Sequence, residues 1–178
     1  RITGIASAPG QAFLAADHDR DGNTDLYVMR SGTVEVWPGP GFTERLLQAT
    51  LPPGVGEGWR FALGDRDLDG ISDLFALSPD DPAHLLILAG AGGFAGEAEE
   101  IATGVSGHVG TMAVGDLDGD GRPDLYFLDH DGALTVYLGG ERGDTPDEEL
   151  VYWFVEGDEQ PSTDQEACPL VPEAEPAS

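Results

Sequence analysis

The sequence predicts an all-β chain of three four-stranded repeats, and three observations carry that prediction. Short apolar runs alternate with turn-forming residues, helped by Gly 26 and Pro 13 in 178 residues. The segments FLAADHDRDGNTDLY (13–27), FALGDRDLDGISDLF (61–75) and MAVGDLDGDGRPDLY (112–126) superpose on their first loop aspartate, spaced by 65 − 17 = 48 and 116 − 65 = 51 residues. No helical pattern fills the intervals, and a period of about fifty residues without helices belongs to a β-propeller blade or another all-β unit.

Each repeat opens with an apolar strand that enters the aspartate loop, at 13–16, 61–64 and 112–115. The second strand leaves the loop at 26–29, 74–77 and 125–128 as a continuous apolar run, the pattern of a strand buried on both faces. Ser31-Gly32 and Asp131-Gly132 then supply pairs that tolerate the positive φ of a tight hairpin, whereas the middle repeat uses the longer Ser78-Pro79-Asp80-Asp81-Pro82. Third strands are expected at 34–37, 85–88 and 134–137, each followed by a glycine-rich corner at 39–42, 90–94 and 139–140. Outer strands at 45–51, 99–104 and 150–155 complete the units as charged edges.

The loops read D-x-D-x-D-G-x-x-D, a spacing that suits a hard divalent cation. A turn closing on itself points positions 1, 3 and 5 inward with the carbonyl of position 7, and position 9 completes the shell. Calcium takes six to eight oxygens at about 2.3–2.6 Å, and short carboxylates converge without long stems. The side-chain ligands expected are Asp17, Asp19, Asp21 and Asp25; Asp65, Asp67, Asp69 and Asp73; and Asp116, Asp118, Asp120 and Asp124. The carbonyls would come from Asn23, Ile71 and Arg122. Gly22, Gly70 and Gly121 allow the sharp turn at position 6. Carboxylates about 5 Å apart repel by about 3 kcal/mol per pair at an effective dielectric of about 20, so three such loops in register call for bound metal. A solvated acidic turn is the bland alternative for any single copy. An EF-hand is a poor match, because its position 12 needs Glu and here holds Val28, Ala76 or Phe127.

Composition narrows the function classes. Asp+Glu 34 against Lys+Arg 8, all arginine, gives −26, which repels nucleic acid and anionic membranes and attracts cations. No stretch approaches the ~18 apolar residues of a membrane span. Cys168 is the single cysteine, so no internal disulfide forms, and a lone cysteine in an acidic tail is more often incidental than an interchain link. His18, His84, His108 and His130 lack metal-ligand spacing, with His18 in an aspartate loop and His130 in a hairpin turn expected to be exposed, and no nucleophile, phosphate-loop or dinucleotide motif occurs. An enzyme is therefore the less favoured reading. Trp37, Trp59 and Trp153 are expected in packing rather than on a ligand-binding rim.

GDLDGDGRPDLYFL and its two siblings resemble the FG-GAP/VCBS repeat family, whose best-known members are integrin α-subunit propellers; the likeness covers about residues 9–155. The resemblance implies loops joining neighbouring strands of a blade, structural calcium at three sites, and an extracellular or surface-attached setting. The Phe-Gly and Gly-Ala-Pro signatures are absent as such, so integrin ligand-binding residues have no positions to carry over to. Repeats are expected at about 9–56, 57–107 and 108–156, followed by a disordered acidic tail at 157–178. Three blades cannot close a ring, because propellers need at least about four. The expectation is a partial or open propeller, with further blades from the same precursor or another chain, or an open stack. The start at Arg1 without Met points the same way, to a piece of a longer protein. The leading functional reading is a non-catalytic extracellular binding or adhesion scaffold with a protein or glycan ligand; the alternative is an accessory or lectin-like part of a carbohydrate-active enzyme.

Overall fold

Every expected strand forms in the computed structural model, which describes residues 10–103, 105, 109–139 and, as backbone only, 149–153. The first sheet holds β1 (Ala12–Ala16), β2 (Asp25–Arg30), β3 (Thr33–Trp37) and β4 (Leu47–Thr50). The second holds β5 (Arg60–Gly64), β6 (Asp73–Leu77), β7 (His84–Leu88) and β8 (Glu99–Ala102). The third holds β9 (Val109–Gly115), β10 (Asp124–Asp129), β11 (Ala133–Tyr137) and β12 (Glu149–Trp153). Each sheet is an antiparallel meander in chain order, the form of a propeller blade. The tail at 157–178 with Cys168, together with His108, Gly140 and the Trp153 side chain, lies outside the described residues.

The blades stack through their first strands, β1 beside β5 and β5 beside β9, in an open row. Two apolar cores result. Tyr27, Met29, Val34 and Val36 of the first blade meet Leu74, Ala76 and Leu88 of the second. On its other side the second blade sets Phe75, Leu77, Leu85 and Ile87 against Met112, Leu125 and Phe127 of the third. All five residues of β6 are accordingly buried. Alternate side chains of one strand feed two different cores, which is why the run reads as unbroken apolar sequence. Each leucine so buried contributes about 2 kcal/mol. Trp37 is buried and Trp59 packs against the first core, in line with the packing role expected of both.

The hairpins joining second and third strands differ from blade to blade. Ser31 and Gly32 both take positive φ, 50° and 73°, as a two-residue hairpin matching strand twist requires. In the middle blade Ser78 Oγ accepts the amides of Asp80 and Asp81. In the third the ladder shifts register between Leu128 and Asp129, and Asp129 Oδ1 accepts the amides of Asp131 and Ala133.

Candidate metal centre

The three loops between first and second strands share one backbone path. Position 4 is left-handed in each, at Arg20 (φ 62°), Leu68 (φ 60°) and Gly119 (φ 78°), and so is position 6, at Gly22 (87°), Gly70 (85°) and Gly121 (86°). Holding a non-glycine residue there costs on the order of 1 kcal/mol, so the surrounding bonds must impose it. They come from the aspartates. The first aspartate accepts the amide of position 6, at 2.9 Å for Asp17, 2.7 Å for Asp65 and 3.0 Å for Asp116. The third-position carboxylates of Asp19, Asp67 and Asp118 accept the amides of Asp21, Asp69 and Asp120. Those fifth-position residues turn along the chain, each accepting the amide of position 7, at Asn23, Ile71 and Arg122, at 2.7 Å. The Asn23 side chain and amide hold the Asp21 carboxyl below its ordinary range.

The ninth aspartates are different in kind, because Asp25, Asp73 and Asp124 are buried at the start of their strands. One oxygen of each accepts the amide of position 2, on His18, Arg66 or Leu117. The other accepts the amide of the glycine that follows the third strand: Gly39 at 2.8 Å, Gly90 at 2.7 Å and Gly139 at 2.8 Å. Sequence reasoning registered these corners only as glycine-rich turns. The available signal was a glycine recurring 14, 17 and 15 residues after the ninth aspartate (39 − 25, 90 − 73, 139 − 124).

Positions 1, 3 and 9 are brought together. Oxygens of Asp17, Asp19 and Asp25, of Asp65, Asp67 and Asp73, and of Asp116, Asp118 and Asp124 lie within 4.8 Å of one another in each trio. The donor set is all oxygen, which fits a hard divalent cation rather than a soft one. Asp65 Oδ1 is buried without a hydrogen-bond partner, an acceptor that a cation would satisfy. Burial, with the charges of Asp67 and Asp65 adding to it, raises the Asp73 carboxyl against the opposing bonds from Gly90 and Arg66. A cation among these oxygens would relieve that penalty.

His18, expected to be an exposed loop residue, is instead half-buried. Its Nδ1 lies 2.9 Å from the Tyr27 hydroxyl, and its ring stacks at 5.8 Å on Phe94 of the neighbouring blade. Burial pushes its pKa down, while Asp25 and Asp19 pull the other way. Arg20 reaches from the first loop to the second, donating to the Asp69 carbonyl and standing 3.7 Å from the Asp69 carboxylate.

Fold and loops together define an all-β module of propeller-blade type with a repeated acidic loop in each blade. Residues 65–127 match the model of the FG-GAP-like repeat, a span running from the first aspartate of the second loop through the third loop into β10. The chain thus carries an FG-GAP-like repeat, as the four-aspartate loops implied. Two similar solved chains come from crystal structures of BBS1N in complex with ARL6DN, one soaked with mercury and one with lead. The first is 16% identical with a TM-score of 0.44, covering 70% of this chain and 34% of that one. The second is 15% identical with a TM-score of 0.42, covering 84% of this chain and 56% of that one. A search of curated proteins gave no match.

Proposed function

We propose that this chain is a calcium-stabilised, non-catalytic binding scaffold that works outside the cell or at its surface. The observation carrying the reading is the threefold convergence of aspartate oxygens at one edge of three stacked blades. Calcium fits the all-oxygen donor set. The carbonyls of Asn23, Ile71 and Arg122 would add to each trio, and Asp21, Asp69 and Asp120 would join by turning a carboxylate oxygen inward from the position-7 amide each accepts. Calcium is abundant enough outside cells to fill sites of modest affinity, which supports the extracellular assignment. Among the described residues no helix is long and apolar enough to cross a membrane.

A protein ligand is favoured over a glycan. Trp37 is only 8% exposed and Trp59 packs against a core, so neither offers an aromatic platform to a sugar ring. Calorimetric titration of chelator-treated protein with calcium tests the metal reading. Three ions per chain are expected, and each site, held at about 100 times its Kd, adds about 2.7 kcal/mol to stability. Absence of binding heat, with a melting temperature indifferent to calcium, would sink it.

A further inference from the structure

We infer that Gly39, Gly90 and Gly139, far from the loops in sequence, are positioning residues for the three metal sites, and that each loop and the corner following the third strand form one mechanical unit. The inference rests on the calcium reading above. None of the three glycines takes a positive φ, so backbone freedom does not explain them. Close approach does. An added Cβ would stand 2.3 Å from the Thr24 carbonyl oxygen at Gly39, 2.2 Å from that of Ser72 at Gly90, and 2.7 Å from that of Pro123 at Gly139. Thr24, Ser72 and Pro123 are position 8 of their loops, between the residue whose carbonyl is the expected ligand and the buried ninth aspartate. At Gly90 the same Cβ would also stand 2.9 Å from Ile71 Cγ2, at position 7.

The contact works in two directions. The glycine amide holds one oxygen of the ninth aspartate, at 2.7–2.8 Å in all three blades. The missing side chain lets the corner press against the peptide that carries that aspartate. Any side chain at the corner must push the position-8 carbonyl aside, rotating the peptide that joins positions 8 and 9 and breaking the convergence of oxygens. Gly92 of the same corner and Gly96 just beyond it are not constrained in this way. A Cβ on Gly92 would meet nothing nearer than 3.8 Å, and one on Gly96 nothing within 4 Å.

The test compares Gly90→Ala with Gly96→Ala by calcium titration of chelator-treated protein. Gly96→Ala is expected to bind three ions like the unaltered chain. Gly90→Ala should lose one ion, or bind it at least about tenfold more weakly, with the other two unchanged. Amide hydrogen exchange on the unaltered protein covers the case in which Gly90→Ala does not fold. The Gly39, Gly90 and Gly139 amides should exchange at least about tenfold more slowly with calcium than with chelator, while the Asp80 and Asp81 amides at the opposite edge do not change. A folded Gly90→Ala that binds three ions with unaltered affinity, or corner amides indifferent to calcium in a protein that binds it, overturns this inference alone. An unaltered chain that binds no calcium overturns the metal reading, and this inference with it.

Discussion

The two edges of each blade are built by different rules. At the loop edge three blades repeat one scheme: two left-handed residues, three carboxylates folded onto their own turn, and a buried ninth aspartate bridging the loop and a glycine corner. At the opposite edge the same three blades use a positive-φ pair, a serine hydroxyl and a bulged aspartate turn. A hairpin has only to reverse the chain, and many local solutions do so at similar cost. The loop edge has to place several like charges together and keep them there, which leaves far fewer solutions.

Removing one side-chain acceptor from each edge of the middle blade should expose the difference. Asp73→Ala leaves the amides of Arg66 and Gly90 without their acceptor in a buried setting, at about 3 kcal/mol for the two together. Ser78→Ala removes an acceptor from two exposed amides that water can satisfy, and should stay within about 0.5 kcal/mol. Urea midpoints in the presence of chelator measure both without contribution from metal. Equal losses would show that the edges are energetically alike and the contrast merely geometric.

The first blade adds an ionic link between its edges. Glu35, 2% exposed, receives both oxygens' bonds from Arg30 beside the hairpin at 2.8 Å, with Arg45 of the loop-edge corner at 3.1 Å and the Trp37 indole at 3.1 Å. The same register position holds Leu86 and Thr135 in the other blades. Burial alone would raise the Glu35 carboxyl, but bonds from Arg30 and Trp37 and the charges of Arg30 and Arg45 outweigh it and the net shift is downward. A lowered folded value means stability present above the ordinary glutamate pKa of about 4.3 and lost as pH falls through the folded value. Glu35→Gln should cost about 1.5 kcal/mol at pH 7 and much less near pH 3. A loss of equal size at both pH values would assign the effect to packing.

How much of this was legible beforehand follows from the length scale of each interaction. The loops could be read because the bonds made within each loop span seven residues or fewer, so ligand types and the position-6 glycine stand at fixed offsets. The blade strands were legible because β6 feeds two cores and has no polar face. The corner glycines were opaque: their separation from the ninth aspartate varies with the intervening hairpin, and nothing local to Gly39, Gly90 or Gly139 demands glycine. His18 was misread for a similar reason. The Phe94 ring that covers it belongs to the next blade, 76 residues on (94 − 18). Asp21, Asp69 and Asp120, expected to turn inward, each accept the amide two residues ahead in this structure, a bond that offsets of ligand types alone do not show.

Arg20 offers the finest test of the loop edge, because it joins two loops across the boundary between the first and second blades. Its side chain is 52% exposed and its partner Asp69 32%, so the pair itself contributes little, within about 0.5 kcal/mol on Arg20→Ala. Its charge acts on the second loop more than on the fold. A guanidinium 3.7 Å from Asp69 opposes an incoming cation by about 1 kcal/mol even in a water-like dielectric. Arg20→Ala should therefore tighten calcium at one of the three sites a few-fold at low ionic strength, and the gain should fade near 1 M salt, where the screening length is about 3 Å. A weaker site in the variant would mean that Arg20 serves the second loop by holding its shape, and the balance between charge and geometry at this edge would have to be reversed.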